Sequence, residues 1–198
     1  MAFITTDDVK LYIGTDAPRD DALITQFITA AQRFIEDQTR RKLTPVTATR
    51  YYSQNDGRLQ GQTLLLDEDL LTLTSLTNGN GTTISNSNAV LEPRNFGPPY
   101  STIRLNLNSA TSVWQFNLDG EIAVTGTWGY TDDPTFAAAH SSLKQWAIQL
   151  CAWMYRRRSS TNSDSDRPIV TGDGVTIMPN AVPKDIMQGI AAHRRLPR

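Results

Sequence analysis

The chain has 198 residues, 39% hydrophobic and 20% charged, with a formal net charge of −1. That size and composition describe one domain, or one domain with a sizeable insertion, and the near-zero charge excludes a global pull toward nucleic acid or anionic lipid. A single cysteine, Cys151, excludes an internal disulfide and a multi-cysteine zinc site.

The opening MAFITTDDVK lacks the basic n-region and apolar core of a signal peptide. No run approaches the roughly eighteen apolar residues that span a bilayer. The expectation is a reducing, aqueous compartment. Charge is polarised along the chain: residues 1–38 carry seven acids against three bases, and residues 151–198 carry eight bases against four acids.

Thr5-Thr6-Asp7-Asp8 before Val9, Leu11, Tyr12 and Ile13 reads as an N-cap and a short first helix ended by Gly14. The long helix follows over Asp20–Leu43. Leu23, Ile24, Phe27, Ile28, Ala31, Phe34 and Ile35 recur at the three-and-four spacing of one helical face. Acids at its front (Asp20, Asp21) and bases at its back (Arg40, Arg41, Lys42) follow the order that the helix dipole favours. Burying such a stripe does not offset the entropy of ordering the segment unless a second apolar surface adds its own burial.

Pro45 stops helix, and Val46–Ser53 reads as a strand. Asn55-Asp56-Gly57 is a turn, Thr63–Leu66 and Leu70–Leu76 are two further strands, and Asn78-Gly79-Asn80-Gly81 offers the positive φ of a hairpin turn. Thr82–Asn88 reads as an exposed connection. Ile103, Leu105 and Leu107 alternate, as do Ile122, Val124 and Gly126 before Trp128, with Val113–Leu118 as a candidate strand between them. The middle of the chain is thus expected to be an antiparallel β-layer over about 45–130.

After Pro134, helix returns in Phe136–Arg158. Leu143, Trp146, Ala147, Leu150, Trp153 and Met154 form a second wide apolar stripe, a natural partner for the first. Ser159–Asp166 reads as a mobile polar segment, and Ile169–Ile177 as a hairpin or extended arm around Gly172-Asp173-Gly174. Pro183 is read at the first position of a last short helix, Lys184–His193, crossed by Gly189.

Chemistry-bearing patterns are sparse. Asp67-Glu68-Asp69 and Asp132-Asp133 read as solvated turn acids; a hydrolase would need two such carboxyls held across a cleft. His140 and His193 have no second ligand at helical spacing. Cys151 lies on the apolar face beside Leu150 and reads as a core residue. No P-loop or three-glycine dinucleotide fingerprint is present. Trp146 and Trp153, one heptad apart, belong to a core or a subunit interface. Arg156-Arg157-Arg158 reads equally as a helix end and as a basic contact patch.

Thr5–Tyr12 followed by Asp20–Leu43 resembles the opening of the head–tail connector proteins of long-tailed bacteriophages, also called adaptor or head-completion proteins. The resemblance is carried by Asp20–Ile24, Phe27, Ile28, Ala31, Ile35, Glu36, Thr39, Arg41 and Leu43. A second similar block is Gly126–Arg158, with Gly-x-Trp-Gly-Tyr, Pro134, Leu143-Lys144 and Tyr155-x-Arg157. A third is Pro168–Ile177 with Val182-Pro183-x-Asp185-Ile186. Residues 54–120 depart from the family in being longer and richer in Asn, Thr and Ser.

The resemblance implies a non-enzymatic virion protein of the neck, made in the host cytoplasm. It implies a ring, commonly of about twelve copies, that docks below the portal protein, extends the DNA channel and presents a platform for the stopper or tail terminator. DNA would pass through without sequence-specific binding, with no cofactor, metal or membrane involved. The fold expected is α+β: a helical bundle of two long and two short helices (core 5–43 and 134–158) with a central antiparallel β insertion over about 45–130. An arm and short helix over 159–198 complete a single adaptor domain.

Leu23, Ile24, Phe27, Ile28, Phe34, Ile35, Leu143, Trp146, Leu150 and Trp153 are the expected helix-packing core. Asp20, Asp21, Arg156, Arg157, Arg158, Ile169, Val170, Val175 and Ile177 are the candidate subunit or portal contacts. The alternative reading is a tail-associated or glycan-binding β-rich module, which requires exposed aromatics on one sheet face.

Overall fold

The computed structural model describes residues 3–106, 113–118, 120–133, 140–159, 169–170, 176–177 and 182–195; for residues 158–159, 169–170 and 176–177 it describes the backbone alone. The chain is α+β. It divides into a helical unit of residues 1–40 and 135–195 and a β unit of residues 41–134.

In the helical unit, α1 (Thr6–Ile13) begins with a capping box. The Thr5 hydroxyl accepts from the Asp8 N–H at 3.1 Å, and the Asp8 carboxylate accepts from the Thr5 N–H at 3.0 Å. Gly14, at φ 77°, ends the helix in the left-handed conformation that a residue without Cβ adopts freely.

Helix α2 (Asp21–Thr39) ends earlier than its sequence predicts: Arg40 takes the left-handed cap position at φ 56°, and Arg41 turns away to an acid in the β unit's own segment of chain. The basic end is therefore not helical. Ile24, Ile28, Ala31 and Ile35 are buried, whereas Leu23, Phe27 and Phe34 are half-buried at the flanks of the stripe.

Helix α3 (Ser141–Ser159) packs against α1, α2 and α4 (Lys184–Ala191). Leu143, Ala147, Leu150 and Cys151 are buried, and Trp146 and Trp153 are half-buried. The predicted start at Phe136 lies outside the described residues. Pro183 sits just before α4 as its N-cap rather than at its first position. The Arg195 N–H donates to the Thr39 carbonyl at 2.8 Å, joining the chain after α4 to the end of α2.

The β unit is a fully antiparallel sheet in the order β1-β7-β3-β6-β5, with β2 (Leu59–Gln60) and β4 added to β3. Strand β1 (Val46–Ser53) pairs with β7 (Glu121–Trp128) in unbroken register, Val46 opposite Trp128 and Ser53 opposite Glu121. Thr63–Leu66 and Leu70–Leu76 are not two strands but one, β3 (Thr63–Thr77). Its first half pairs with β6 (Tyr100–Leu105) and its second with β7, across a register irregularity between Leu65 and Leu70.

Alternate residues of these strands converge on one core that includes Tyr52, Leu70, Leu76, Ile103, Val124 and Trp128. The stretch read as an exposed connection holds β4 (Thr83–Ile84), a short 3-10 turn (Asn86–Asn88) and a buried Ile84; β5 (Ala89–Glu92) follows, unforeseen. Val113–Leu118 is not a strand; it meets the turn after β3 in a bridge between Gly79 and Phe116, and Trp114 is buried in the sheet's core. Leu107 lies outside the described residues. In the arm, β8 (Ile169–Val170) pairs with β9 (Thr176–Ile177).

Candidate interaction surfaces

The acidic front of α2 is engaged within its own unit. Tyr155 Oη on α3 donates to Asp20 Oδ2 at 2.8 Å, and Asp21 is ion-paired with Lys10 on α1. Asp21 beside it pushes the Lys10 ammonium above its usual range. Lys144 on α3 pairs with Asp8 at 3.2 Å. Burial pushes the Asp8 carboxyl up, but the Thr5 N–H, the Thr5 hydroxyl and Lys144 together outweigh it, and the net shift is downward. These acids thus clip α1 and α2 to each other and to α3.

The basic end of α3 reaches the surface at Arg156 and Arg157, with the Arg157 guanidinium 5.6 Å from the ring centre of Trp153. Of the remaining candidate contacts, the side chains of Arg158, Ile169, Val170 and Ile177, and all of Val175, lie outside the described residues, as does Ser159–Asp166 beyond its first backbone position.

In the β unit each acid of Asp67-Glu68-Asp69 has a partner brought from elsewhere in the chain. Tyr52 Oη donates to Asp67 Oδ1 at 2.6 Å, Arg50 pairs with Glu68 at 2.5 Å, and Arg41 pairs with the buried Asp69 at 2.6 Å. Burial, and then the hydrogen bond to Asp67, push the Tyr52 phenol well above its ordinary range. Arg41 also lies 4.6 Å from the ring centre of Tyr130, whose phenol is raised by burial and by Asp69 against the lowering effect of Arg41. The acidic run is built into the sheet as structural pairs, not set across a cleft as a carboxylate dyad.

Sequence spacing gave no reason to pair the two histidines, yet α3 and α4 bring them together. Their rings meet edge-to-face at 6.5 Å between centroids, and Ser142 Oγ lies 3.1 Å from His193 Nε2. Burial pushes the Cys151 thiol up to about 12, so the residue is protonated and enclosed rather than nucleophilic. Among the described residues no group of three or more His, Cys, Asp or Glu is placed to hold a metal ion. No described helix is long and apolar enough to cross a membrane.

Trp114, in the 113–118 segment, and Trp128, on β7, are 8% and 1% exposed, so neither offers a surface indole. Among the described residues, the exposed Tyr and Phe side chains are Tyr12 on α1, Tyr51 on β1 and Phe96 in the β5–β6 loop.

The family model of the head completion proteins matches residues 2–196, both units included. The chain belongs to the head completion protein family. No curated protein matches it. Among solved structures, a chain from the neck of an empty gene transfer agent particle, computed with C6 symmetry, aligns with a TM-score of 0.62 at 16% identity, covering 98% of this chain and 91% of that one. A chain from the neck of the native particle, computed with C12 symmetry, aligns with a TM-score of 0.55 at 18% identity, covering 90% and 85%. A chain of the native gene transfer agent virion gives 0.53 at 20% identity, covering 93% and 81%. At these identities the likeness is one of fold, and it extends over helices and sheet alike.

Proposed function

We propose that this head completion protein is a structural, non-enzymatic component of a virion neck, forming a ring below the portal that extends the DNA channel and receives the stopper or tail. The observation that carries this reading is the family match across residues 2–196, which leaves neither unit outside the resemblance. The neck chains that share its fold come from particle necks computed with C6 or C12 symmetry. A contact between unlike surfaces, repeated by rotation, closes such a ring.

In this reading the protein is one adaptor domain in which the β unit is an insertion into the helical bundle. The exposed Arg156 and Arg157, with Arg158 and the arm residues Ile169, Val170, Val175 and Ile177, contact a neighbouring copy or the portal. Asp20 and Asp21 act within the subunit, since Tyr155 and Lys10 already engage them. The formal net charge of −1 suits a conduit, because every tight phosphate contact would add affinity and retard passing DNA.

The test is electron microscopy of the purified protein alone and mixed with DNA-filled, portal-bearing heads that lack it. Rings seated at the portal vertex, and tail joining restored by the added protein, are expected. Heads that join tails equally well without it would overturn the reading.

A further inference from the structure

We propose that the open edge of β1 takes up the β8–β9 hairpin of a neighbouring copy as added strands, so that each subunit's arm is laced onto the next; this rests on the ring reading above. Among the described residues β1 pairs with β7 alone and stands at the end of the sheet order. Its outer side therefore presents a row of main-chain N–H and C=O groups that no described strand engages. Such a row is a template for a further strand.

Soluble proteins blunt their sheet edges with short strands, proline, bulges or charge. The opposite edge of this sheet is blunted in that way: β5 has four residues, and Pro93 follows it directly. Strand β1 is not. It runs eight residues in unbroken register with β7 and holds neither proline nor lysine. Its one charged residue, Arg50, turns to Glu68 at 2.5 Å and lies 5.8 Å from the ring centre of Trp128. Thr49 is tied to Thr125 on β7 at 2.9 Å, while Val46 and Tyr51 stand 53% and 62% exposed.

The hairpin has the converse need. Its pairs are Ile169 with Ile177 and Val170 with Thr176, and it forms a sheet of its own. Two short strands alone are marginal in water, and a third strand is what stabilises them. Isoleucine, valine and threonine are residue types that suit a strand. Ile177 lies seven residues before the start of α4 at Lys184, and Ile169 ten after the end of α3 at Ser159. The shorter of these tethers reaches at most about 25 Å. Every copy thus carries one edge to fill and one hairpin to place, and repeating the exchange by rotation leaves neither over. Main-chain hydrogen bonds hold a strand added in this way, and alternate side chains fix its register.

The test loads DNA-filled, portal-bearing heads that lack the protein with an equal mixture of two forms of it. One is wild type labelled with heavy isotopes; the other is unlabelled and carries a photo-crosslinking phenylalanine at position 170 or, in a second preparation, at position 51. Each variant is first shown to melt with the wild type, and immunoblotting establishes that the chain is in the particles. Mass spectrometry is expected to find crosslinks from unlabelled position 170 to heavy Val46–Ser53, and from unlabelled position 51 to heavy Ile169–Ile177. Crosslinks within one chain would join unlabelled peptides only. Solely unlabelled pairs, crosslinks from position 170 to the portal or another protein in place of β1, or no crosslink from either position in particles that contain the protein would each overturn the strand exchange while leaving the neck assignment standing. Absence of the protein from purified particles would overturn both.

Discussion

Gly189 of α4 lies against the indole of Trp146 on α3 so closely that a Cβ at position 189 would fall 2.1 Å from Cε2 and 2.3 Å from Nε1. The glycine in mid-helix is a packing device. Alanine there would gain about 0.8–1.0 kcal/mol in helix propensity, but it would force the rigid ring or the helix to move.

Overpacking of this kind costs about 1–3 kcal/mol, so Gly189→Ala is expected to destabilise the protein by up to about 2 kcal/mol net. Denaturant melts and the Trp emission wavelength report it. With Trp146→Ala in the background the clash is gone, and the same substitution should become neutral or stabilising. A cycle with no such reversal would show that the contact does not control α4.

The hydrogen bond from Tyr155 to Asp20 joins α3 to the start of α2. Because the acceptor is a half-buried carboxylate, Tyr155→Phe is expected to lower stability by about 1–2 kcal/mol in the monomer. Ring formation at concentrations where the monomer is folded should be unchanged. A variant of normal stability that fails to assemble would return Asp20 to the role of a contact between copies.

A larger loss is expected at Arg41. It pairs with Asp69, whose side chain is 3% exposed, and it lies over the Tyr130 ring. Removing one partner leaves a buried charge behind, so Arg41→Met should cost about 3 kcal/mol. Arg41→Met with Asp69→Leu, an apolar pair of similar bulk, should recover most of that. Equilibrium unfolding of the two variants distinguishes a costly orphan charge from a pair that contributes little.

These pairs also explain which parts of the fold were legible in the sequence. Helices α1, α2 and α3 announced themselves through apolar spacing and through Thr5 and Gly14 at the ends of α1. Strands β1 and β7 announced themselves through alternation. The continuity of β3 did not, because Asp67-Glu68-Asp69 has the composition of a turn. It is strand only because Tyr52, Arg50 and Arg41, each from elsewhere in the chain, supply a donor to each acid.

Strand β5 was missed for a similar reason: Ala89–Glu92 is four half-buried residues after a polar run, and its pairing with β6 is what makes it a strand. The end of α2 was misplaced because Arg41 is recruited by Asp69. The meeting of His140 with His193 had no local signal, since the crossing of α3 and α4 creates it. The candidate contacts were legible only as charge: Arg156 and Arg157 are open at the surface, but nothing in the spacing of Asp20 and Asp21 told that Tyr155 and Lys10 would claim them.

Cys151 gives the protein a limit at alkaline pH. Its thiol is enclosed among the side chains of the helical unit, and burial raises its folded-state pKa to about 12, against about 8.5 in an unfolded chain. The sign follows from linkage: the unfolded state releases its proton first, so the thiol's contribution is fully present below about pH 8.5 and is lost as pH rises toward the folded-state value. Wild-type stability should therefore fall between about pH 8.5 and 12.

Cys151→Ala should show a shallower decline over that window, at the cost of a small cavity that lowers stability equally at every pH. Unfolding curves at pH 7, 9 and 10.5 separate the two effects. A thiol reagent should label native wild-type protein only at the rate of unfolding. Rapid labelling of the native chain, or identical pH slopes for wild type and Cys151→Ala, would mean that the thiol is not held neutral by burial.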